Sequence, residues 1–586
     1  MSILGVDVGG TFTDAVYVRD GEVRTAKVPT ARRQEESVLA AARAVGAGDA
    51  ERFTHGTTVA TNALLERKGA RTAFVATRGF EHLLHLRRQT RAHLYRLCAE
   101  HAEPLVPIDR CHGVAERTGP DGVLEALDLD SLAEFDAEAV AVCLLHAYRH
   151  PEHERRVADE VRRRLPNAHV VASHEVAPEF REYERASTTA ADAYLGPVVS
   201  RYLRALAGAA RKAGLPEPLV MRSSGGVASV DEAAAHPAFV LVSGPAGGAV
   251  GASLVARHAG HPNAIAFDMG GTSTDVCLIA NGAVERASER VVGGLPIRLP
   301  TVDVHTVGAG GGSIVRRDAG GALRVGPESA GAHPGPASYG RGGTWATVTD
   351  ANVALGRVPT SLAGGVELDV AAAERALGSI DAADVIAVVN AEMLRALRVV
   401  SVERGHDPSD FALVAFGGAG PLHACELADE LGVQTVLVPE AAGVLSALGL
   451  VAGDERRDRV ESRLVPLADA GELPAAGEAD LRYSGQSFEL TIELGPDLAA
   501  RFHRAHEERY GYADPSRELE LVAVRTADVR PAPTFDLPQA PPLRVEGPAV
   551  LELPGSTAWI PPGWVGVRDG TYATGDSTLV VTKRSR

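Results

Sequence analysis

Two aspartates, Asp7 and Asp268, each end an apolar run and are each followed by the same short pattern. The chain opens with Leu4-Gly-Val-Asp7-Val-Gly9-Gly10-Thr11-Phe-Thr13-Asp14 and later reads Ala266-Phe-Asp268-Met-Gly270-Gly271-Thr272-Ser-Thr274-Asp275, so D-x-G-G-T-x-T-D occurs twice at identical offsets. A glycine pair lets the backbone come close to an anion and turn its N–H groups toward it. The threonines add hydroxyl donors. An aspartate repels phosphate, but it holds a hydrated Mg²⁺ that bridges carboxylate and phosphate oxygens. Two such turns facing each other would clamp a triphosphate from both sides. Asp7 and Asp268 are therefore the candidate catalytic and Mg²⁺-binding residues. Gly9, Gly10, Thr11, Thr13, Gly270, Gly271, Thr272 and Thr274 are candidate nucleotide-binding positions. A strand-end aspartate can also cap a turn; the repetition favours the metal reading. For Asp14 and Asp275 a direct role and a turn-forming role both stay open.

The apolar lead-in and run-out of each pattern predict strand, tight turn, strand. A third element follows a different plan: a buried strand over Phe411–Phe416, the turn Gly417-Gly418-Ala419-Gly420-Pro421, then a helix over Leu422–Leu431. A Rossmann unit with Glu440 as its ribose acid would read similarly, but His423 stands where the last glycine belongs. Asp303 and His305, two apart on an apparent strand, face one side. They suit a metal or proton-transfer pair, or a hydrogen-bonded structural histidine. His55 carries the same ambiguity. Ser243-Gly-Pro-Ala-Gly-Gly248 ahead of a small-residue helix suits an anion at the helix N-terminus or close helix packing. Cys98, Cys111, His101 and His112 fit no standard zinc spacing.

Bulk properties narrow the classes. A chain of 586 residues implies roughly two to four domains. Hydrophobic residues at 45% and charged residues at 23% are the balance of a globular protein. No apolar run reaches the roughly 20 residues a membrane span needs, and the first residues carry no basic leader, so a cytoplasmic location is expected. The 5 cysteines form no Cys-x-x-Cys pair and are expected to be reduced thiols. A net charge of −17 argues against nucleic acid. The lysines Lys27, Lys68, Lys212 and Lys583 all lie outside a P-loop setting, and neither Gly-x-Ser-x-Gly nor His-Glu-x-x-His occurs.

The paired aspartate turns resemble those of the actin, sugar-kinase and DnaK-type ATPase superfamily. In that group a Gly-Gly-x-Gly turn packs against adenine and ribose, a role the resemblance gives to Gly417, Gly418 and Gly420. Further segments resemble the hydantoinase A/5-oxoprolinase family: His55-Gly-Thr-Thr, Glu179-Phe-Arg-Glu-Tyr-Glu-Arg185, Ser223-Ser-Gly-Gly226, Asp303-Val-His305, Gly335-Pro-Ala-Ser-Tyr339 and Thr349-Asp350-Ala-Asn352 among them. The likeness is dense from residue 1 to about 455 and weaker in the tail, at Arg482-Tyr-Ser-Gly-Gln486 and Pro561-Pro-Gly-Trp564.

The resemblance implies an α/β fold of two actin-like (ribonuclease H-like) lobes around a nucleotide cleft, with ATP and Mg²⁺ as cofactors. The lobes are expected at 1–190 and 191–455, and a small β-rich domain at 456–586, whose short strands, such as Phe488–Leu494 and Leu519–Arg525, are separated by a proline-rich connector over Pro531–Pro542. Residues 308–343 are glycine-rich and read as loop. The implied activity is ATP-dependent opening of a small cyclic amide, 5-oxoproline or a hydantoin. The family's largest members carry a fused second half that this chain does not show. The chain is therefore expected to be an A-type subunit with a B-type chain as partner, in a homo- or hetero-oligomer. Rival readings are a subunit of an ATP-dependent carboxylase, an ATP-gated binding protein, and a sugar kinase.

Overall fold

The computed structural model describes residues 2–362, 366–535, 537, 540–568 and 578–584. Strand β1 (Ser2–Val8) buries side chains on both faces, as its unbroken apolar run requires. It turns at Gly9-Gly10 into antiparallel β2 (Phe12–Arg19), which pairs with β3 (Glu22–Pro29), while β4 (Arg52–Thr57) lies parallel to β1 on its other side. The second pattern folds the same way. Strand β5 (Ala264–Met269) turns into antiparallel β6 (Thr274–Ala280), and β6 pairs with β7 (Val304–Val307). Strand β8 (Ala412–Phe416) runs parallel to β5, and β9 (Thr435–Val438) parallel to β8. The sequence repeat is thus a repeat of register. Asp7 stands opposite Asp14, and Asp268 opposite Asp275.

Among the described residues these strands seed two large sheets in a mixed α/β chain. Three helices matter for the site: α1 (Ser243–His258), α2 (Gly420–Leu431) and α3 (Leu445–Val451). Helix α3 packs on β1, β2 and β4, and α1 packs on β5, β8 and β4, so this pair fills the space between the sheets. Their backbones meet through glycine. A Cβ on Gly449 would lie 1.8 Å from the Gly247 carbonyl oxygen, and one on Gly251 would lie 2.6 Å from the Leu445 oxygen. The largest apolar core surrounds this pair and reaches from Phe267, Val414 and Leu448 to Ile3 and Val16 of the first sheet. A separate five-stranded sheet (Thr72–Thr77, Cys111–Gly119, Gly122–Asp128, Ala139–Cys143 and His169–Ala172) is inserted after β4 and leads into the long helix Glu182–Lys212.

Three expectations about organisation change. Most of the described strands in residues 456–586 do not build a sheet of their own. Glu455–Pro466, Glu478–Tyr483, Leu490–Glu493 and Leu519–Arg530 extend the first sheet, whereas Leu543–Glu546, Trp564–Arg568 and Leu579–Lys583 extend the second beyond β9. Unpaired strand edges take the partners that later chain supplies. Only β10 (Ala549–Leu553) and β11 (Ser556–Ile560) pair with each other alone. A boundary at 190 would cut the helix Glu182–Lys212, and the strands Leu219–Met221 and Val227–Ala228 belong to the first sheet, so the 191–455 span is not one unit. The glycine-rich run holds a hairpin, Ser313–Arg317 with Leu323–Ser329. The described part of the proline-rich connector forms no regular element; residues 536, 538 and 539 of it lie outside the described set. No helix among the described residues is long and apolar enough to cross a membrane.

A buried charge cluster fastens the C-terminal strands to the rest. Glu179, just before the long helix, accepts from Arg298 Nε at 2.9 Å and from Arg525 Nη2 at 2.7 Å, and Asp480 holds Arg525 Nε at 2.9 Å. Glu179→Ala would leave two guanidinium groups facing a void, and breaking a buried pair from one side costs about 3 kcal/mol or more. Urea unfolding should show that loss; a change within experimental error would mean the cluster is not what fastens these strands.

Candidate functional site

Asp7 lies one residue before the end of β1, on the same sheet face as its cross-strand partner Asp14. Its neighbour on β4 is Gly56, where a Cβ would come within 2.4 Å of Asp7 Oδ1. The first turn of α1 closes over it at Gly244, whose Cβ position is 3.8 Å from both carboxylate oxygens. Asp7 Oδ1 is buried and has no hydrogen-bond partner. Asp268 is built alike. Gly417, at φ +81°, follows β8, and a Cβ there would stand 2.3 Å from Asp268 Oδ1. Each aspartate therefore needs a glycine on the adjoining parallel strand.

Burial pushes the Asp7 carboxyl up to about 7, with the Asp14 charge adding to the rise and Lys27 opposing it. Burial likewise pushes Asp268 up to about 8, reinforced by Asp275 and then by Asp7. Asp7, Lys27 and Asp14 all act on Asp268, so the ends of the two hairpins share one electrostatic site across the boundary between the sheets. An uncompensated buried carboxylate oxygen beside a second carboxylate is a donor set suited to a hard dication. Among the described residues no group of three or more His, Cys, Asp or Glu could hold a metal ion by itself. The residues fit a Mg²⁺ that takes one or two carboxylates and completes its shell with water and ligand phosphates.

The turns supply room. Gly9 N–H donates to Phe12 O at 3.0 Å and Gly270 N–H to Ser273 O at 3.0 Å, closing the two turns identically. At Gly10, Gly271 and Gly418 an added Cβ would meet nothing within 4 Å. The second turn is braced from behind: Gly311 and Gly312 donate to the carbonyls of Gly270 and Gly271 at 3.0 and 2.7 Å. That contact explains part of the glycine run, since a Cβ on Gly310 would strike Thr272 N at 2.6 Å. The Gly417–Gly420 turn joins the second hairpin through Ala419 N–H to Met269 O at 2.9 Å. Ser556 Oγ, at the start of β11, donates to Gly417 O at 2.7 Å.

Thr11 and Thr272 are exposed at the turns. The hydroxyls of Thr13 and Thr274 are engaged away from the turns. Each adjoins an aspartate along its strand and so points to the opposite face. There Thr13 Oγ1 meets Thr30 Oγ1 at 3.1 Å, and Thr274 Oγ1 donates to Ala309 O at 2.6 Å. Asp303 and His305 do not form a proton-transfer pair. Asp303 precedes β7 and binds Arg404 Nη1 at 2.5 Å, while the charge of His305 acts on Asp275, the cross-strand partner of Asp268. His55 is fully buried between Val6 O at 3.1 Å and Tyr202 Oη at 2.8 Å, and burial pushes its pKa down to about 4. It is a neutral packing residue. Ser243 bonds Thr57 on β4, which leaves the start of α1 aimed at Asp7.

Lys27 is the residue that sequence reasoning passed over. On β3 it stands opposite Asp14 and binds Asp14 Oδ1 at 2.6 Å. The available signal was the β2–β3 register, which puts a lysine across from the second aspartate of the pattern.

Comparison with known proteins bears on the same segments. The family model described as hydantoinase/oxoprolinase N-terminal region matches residues 3–165, and that described as hydantoinase/oxoprolinase matches residues 185–459. The chain is 32% identical to the caprolactamase subunit alpha of Pseudomonas jessenii over 96% of this chain and 97% of that one. The crystal structure of the ATP-dependent caprolactamase from the same organism superposes with a TM-score of 0.85 at 29% identity, covering 100% of both chains. The likeness to 5-oxoprolinase 1 of Arabidopsis thaliana is 34% over 81% of this chain but 44% of that protein. A nucleotide-free acetone carboxylase structure superposes with a TM-score of 0.79 at 25% identity over 99% of both chains.

Proposed function

Since the chain belongs to the hydantoinase/oxoprolinase family, we propose that it is an ATP-dependent enzyme that opens a cyclic amide of the 5-oxoproline or hydantoin type, acting as an A-type subunit. The supporting observation is the pair of matched hairpins in which the charge of Asp7 acts on Asp268 while Asp7 Oδ1 has no partner. In this reading the two sheets are the cores of two actin-like lobes that close on the nucleotide.

A ring amide is resonance-stabilised and has a poor leaving group. ATP, bound with Mg²⁺, supplies a phosphoryl group that turns the amide carbonyl oxygen into a leaving group. The chain's own part is positioning and electrostatics. Asp7 and Asp268 would hold the metal shell. The backbone at Gly10-Thr11 and Gly271-Thr272 would donate to phosphate oxygens, and the open face at Gly418 would take the nucleoside. Binding of the dication is also what would discharge the raised carboxyls, since a neighbouring positive charge favours the ionised form.

Water must still reach the activated acyl carbon, and Asp303 is committed to Arg404. That favours a separate B-type chain, and the caprolactamase relative is itself named as a subunit. The second reading, a carboxylase subunit activating bicarbonate, is favoured by the acetone carboxylase likeness.

An ATPase screen against 5-oxoproline, hydantoins and bicarbonate, with and without a candidate B-type chain, separates these. The expected result is slow ATP turnover by the chain alone and lactam-dependent turnover, coupled to ring opening, when the second chain is added. Bicarbonate-dependent turnover would move the assignment to the carboxylase reading. ATP turnover stimulated by unfolded peptide alone would overturn both.

A further inference from the structure

We propose that Lys27 is the cation that contacts the transferred phosphoryl group in this site, and that Asp14 is the residue that positions it. The inference rests on the proposed use of ATP and goes beyond it by naming which hairpin faces the reacting phosphorus.

The two hairpins match in backbone, so a difference in their side chains at equivalent places marks a difference in role. Opposite Asp14, on the strand beyond it, stands Lys27. Opposite Asp275, in the equivalent register, stands Thr306, whose hydroxyl donates to Asp275 Oδ1 at 2.5 Å. Arg290 reaches Thr306 Oγ1 at 3.1 Å. A lysine ammonium therefore meets the second aspartate directly in the first hairpin, and a neutral hydroxyl does so in the second.

The ammonium is held for use. Lys27 Nζ binds Asp14 Oδ1 at 2.6 Å and lies 5.4 Å from the Phe12 ring centroid, with 20% of its side chain exposed. One of its three donors is engaged among the described residues, so the others are free for an anion. The charges acting on Asp7 are Asp14 and Lys27, and the same lysine acts on Asp268 across the sheet boundary. The position is fixed from the C-terminal hairpin as well. Gly555, in the turn between β10 and β11, would bring a Cβ to 3.1 Å from Lys27 Cε. A Cβ on Gly443 would stand 2.4 Å from the Gly555 carbonyl carbon. Ser556, the next residue, holds Gly417 beside Asp268. Lys27 thus sits where the first hairpin, the β10–β11 turn and the Gly417 turn converge.

Two aspartates and a triphosphate concentrate negative charge that one dication does not cancel. As the bond from the amide carbonyl oxygen to the γ-phosphorus forms, the bond from that phosphorus to the bridging oxygen breaks and its electron pair leaves with ADP. Charge builds on the equatorial and leaving oxygens, and an ammonium stabilises it as a point charge without transferring a proton.

The test compares Lys27→Met and Lys27→Arg with the wild-type chain, measuring ATP, ADP and AMP binding by calorimetry with Mg²⁺, ATP turnover, and melting temperature. Lys27→Met should lower turnover about a hundredfold, as loss of one charge-stabilising donor does, and weaken ATP binding about tenfold with AMP binding unchanged. Lys27→Arg should recover ATP binding in part and serves as the folded variant if Lys27→Met does not fold. Asp14→Asn should lower turnover more than it weakens ATP binding, because the ammonium keeps its charge but loses the carboxylate that aims it. A folded Lys27→Met that binds and turns over ATP like wild type overturns the proposal, as does equal loss of ATP, ADP and AMP. A wild-type chain that binds no nucleotide would instead overturn the ATP reading beneath it.

Discussion

Asp7→Asn and Asp268→Asn are each expected to lower ATP turnover by roughly 10²–10³-fold, the usual cost of removing a group that stabilises developing charge, while making the nucleotide-free chain more stable at alkaline pH. The two effects share one cause. Burial, with the charge of the cross-strand aspartate (Asp14 for Asp7, Asp275 for Asp268), pushes the carboxyls up to about 7 for Asp7 and about 8 for Asp268 in the folded chain. The unfolded chain releases the same protons near pH 4. Over the interval between, the native state binds more protons than the unfolded one, so stability falls as pH rises and then levels above the folded pKa values. Asparagine cannot ionise and should flatten that fall. Melting curves from acid to alkaline pH, beside turnover, check both halves. Near-normal turnover in either variant would sink the two-hairpin clamp, and a wild-type melting curve flat across the interval would show that the carboxyls are not buried as described.

Gly449→Ala is expected to destabilise the chain by about 4 kcal/mol, at the upper end of what a single substitution does. The new methyl would stand 1.8 Å from Gly247 O and 2.7 Å from Gly251 N, both main-chain atoms of α1 that no rotamer change can move. Helices α1 and α3 must part. Because α1 touches Asp7 at Gly244 and Phe416 at Gly248, their parting also shifts the two aspartates relative to each other. Gly208→Ala is the control. It lies in the helix Glu182–Lys212 with nothing within 4 Å of the new Cβ, and should stabilise by about 0.5–1 kcal/mol through helix propensity. Denaturant unfolding of the pair measures the contrast. Equal midpoints for the two would refute the contact.

What the sequence made legible was local. The D-x-G-G-T-x-T-D hairpins and the turn at Gly417 followed from residues adjacent in the chain, and so did their strand–turn–strand and strand–turn–helix shapes. Thr13 and Thr274 were misread for want of one local rule, that neighbours along a strand point apart. The rest depended on pairings no local pattern states. Lys27 gains meaning only from its register with Asp14, and Asp303 loses its proton-transfer role only because Arg404, far along the chain, folds back onto it. That the region after residue 455 is rich in strands was visible. Which open edge each would join was not, because alternation shows that a strand has two faces without saying which neighbour it takes.

That division of the C-terminal strands has a consequence for the order of events during synthesis. Strand β9 is complete once residue 438 has been made, yet its second neighbour is Leu579–Lys583. Until those residues emerge, the growing chain carries an open row of apolar β9 backbone, and its last pairings are among its most distant in sequence. Chains dominated by such distant pairings fold slowly and stay prone to association meanwhile. Expression that pauses or stops between β9 and residue 579 should therefore yield aggregate rather than a soluble, half-built second sheet, so the second sheet is completed only after Leu579–Lys583 has docked.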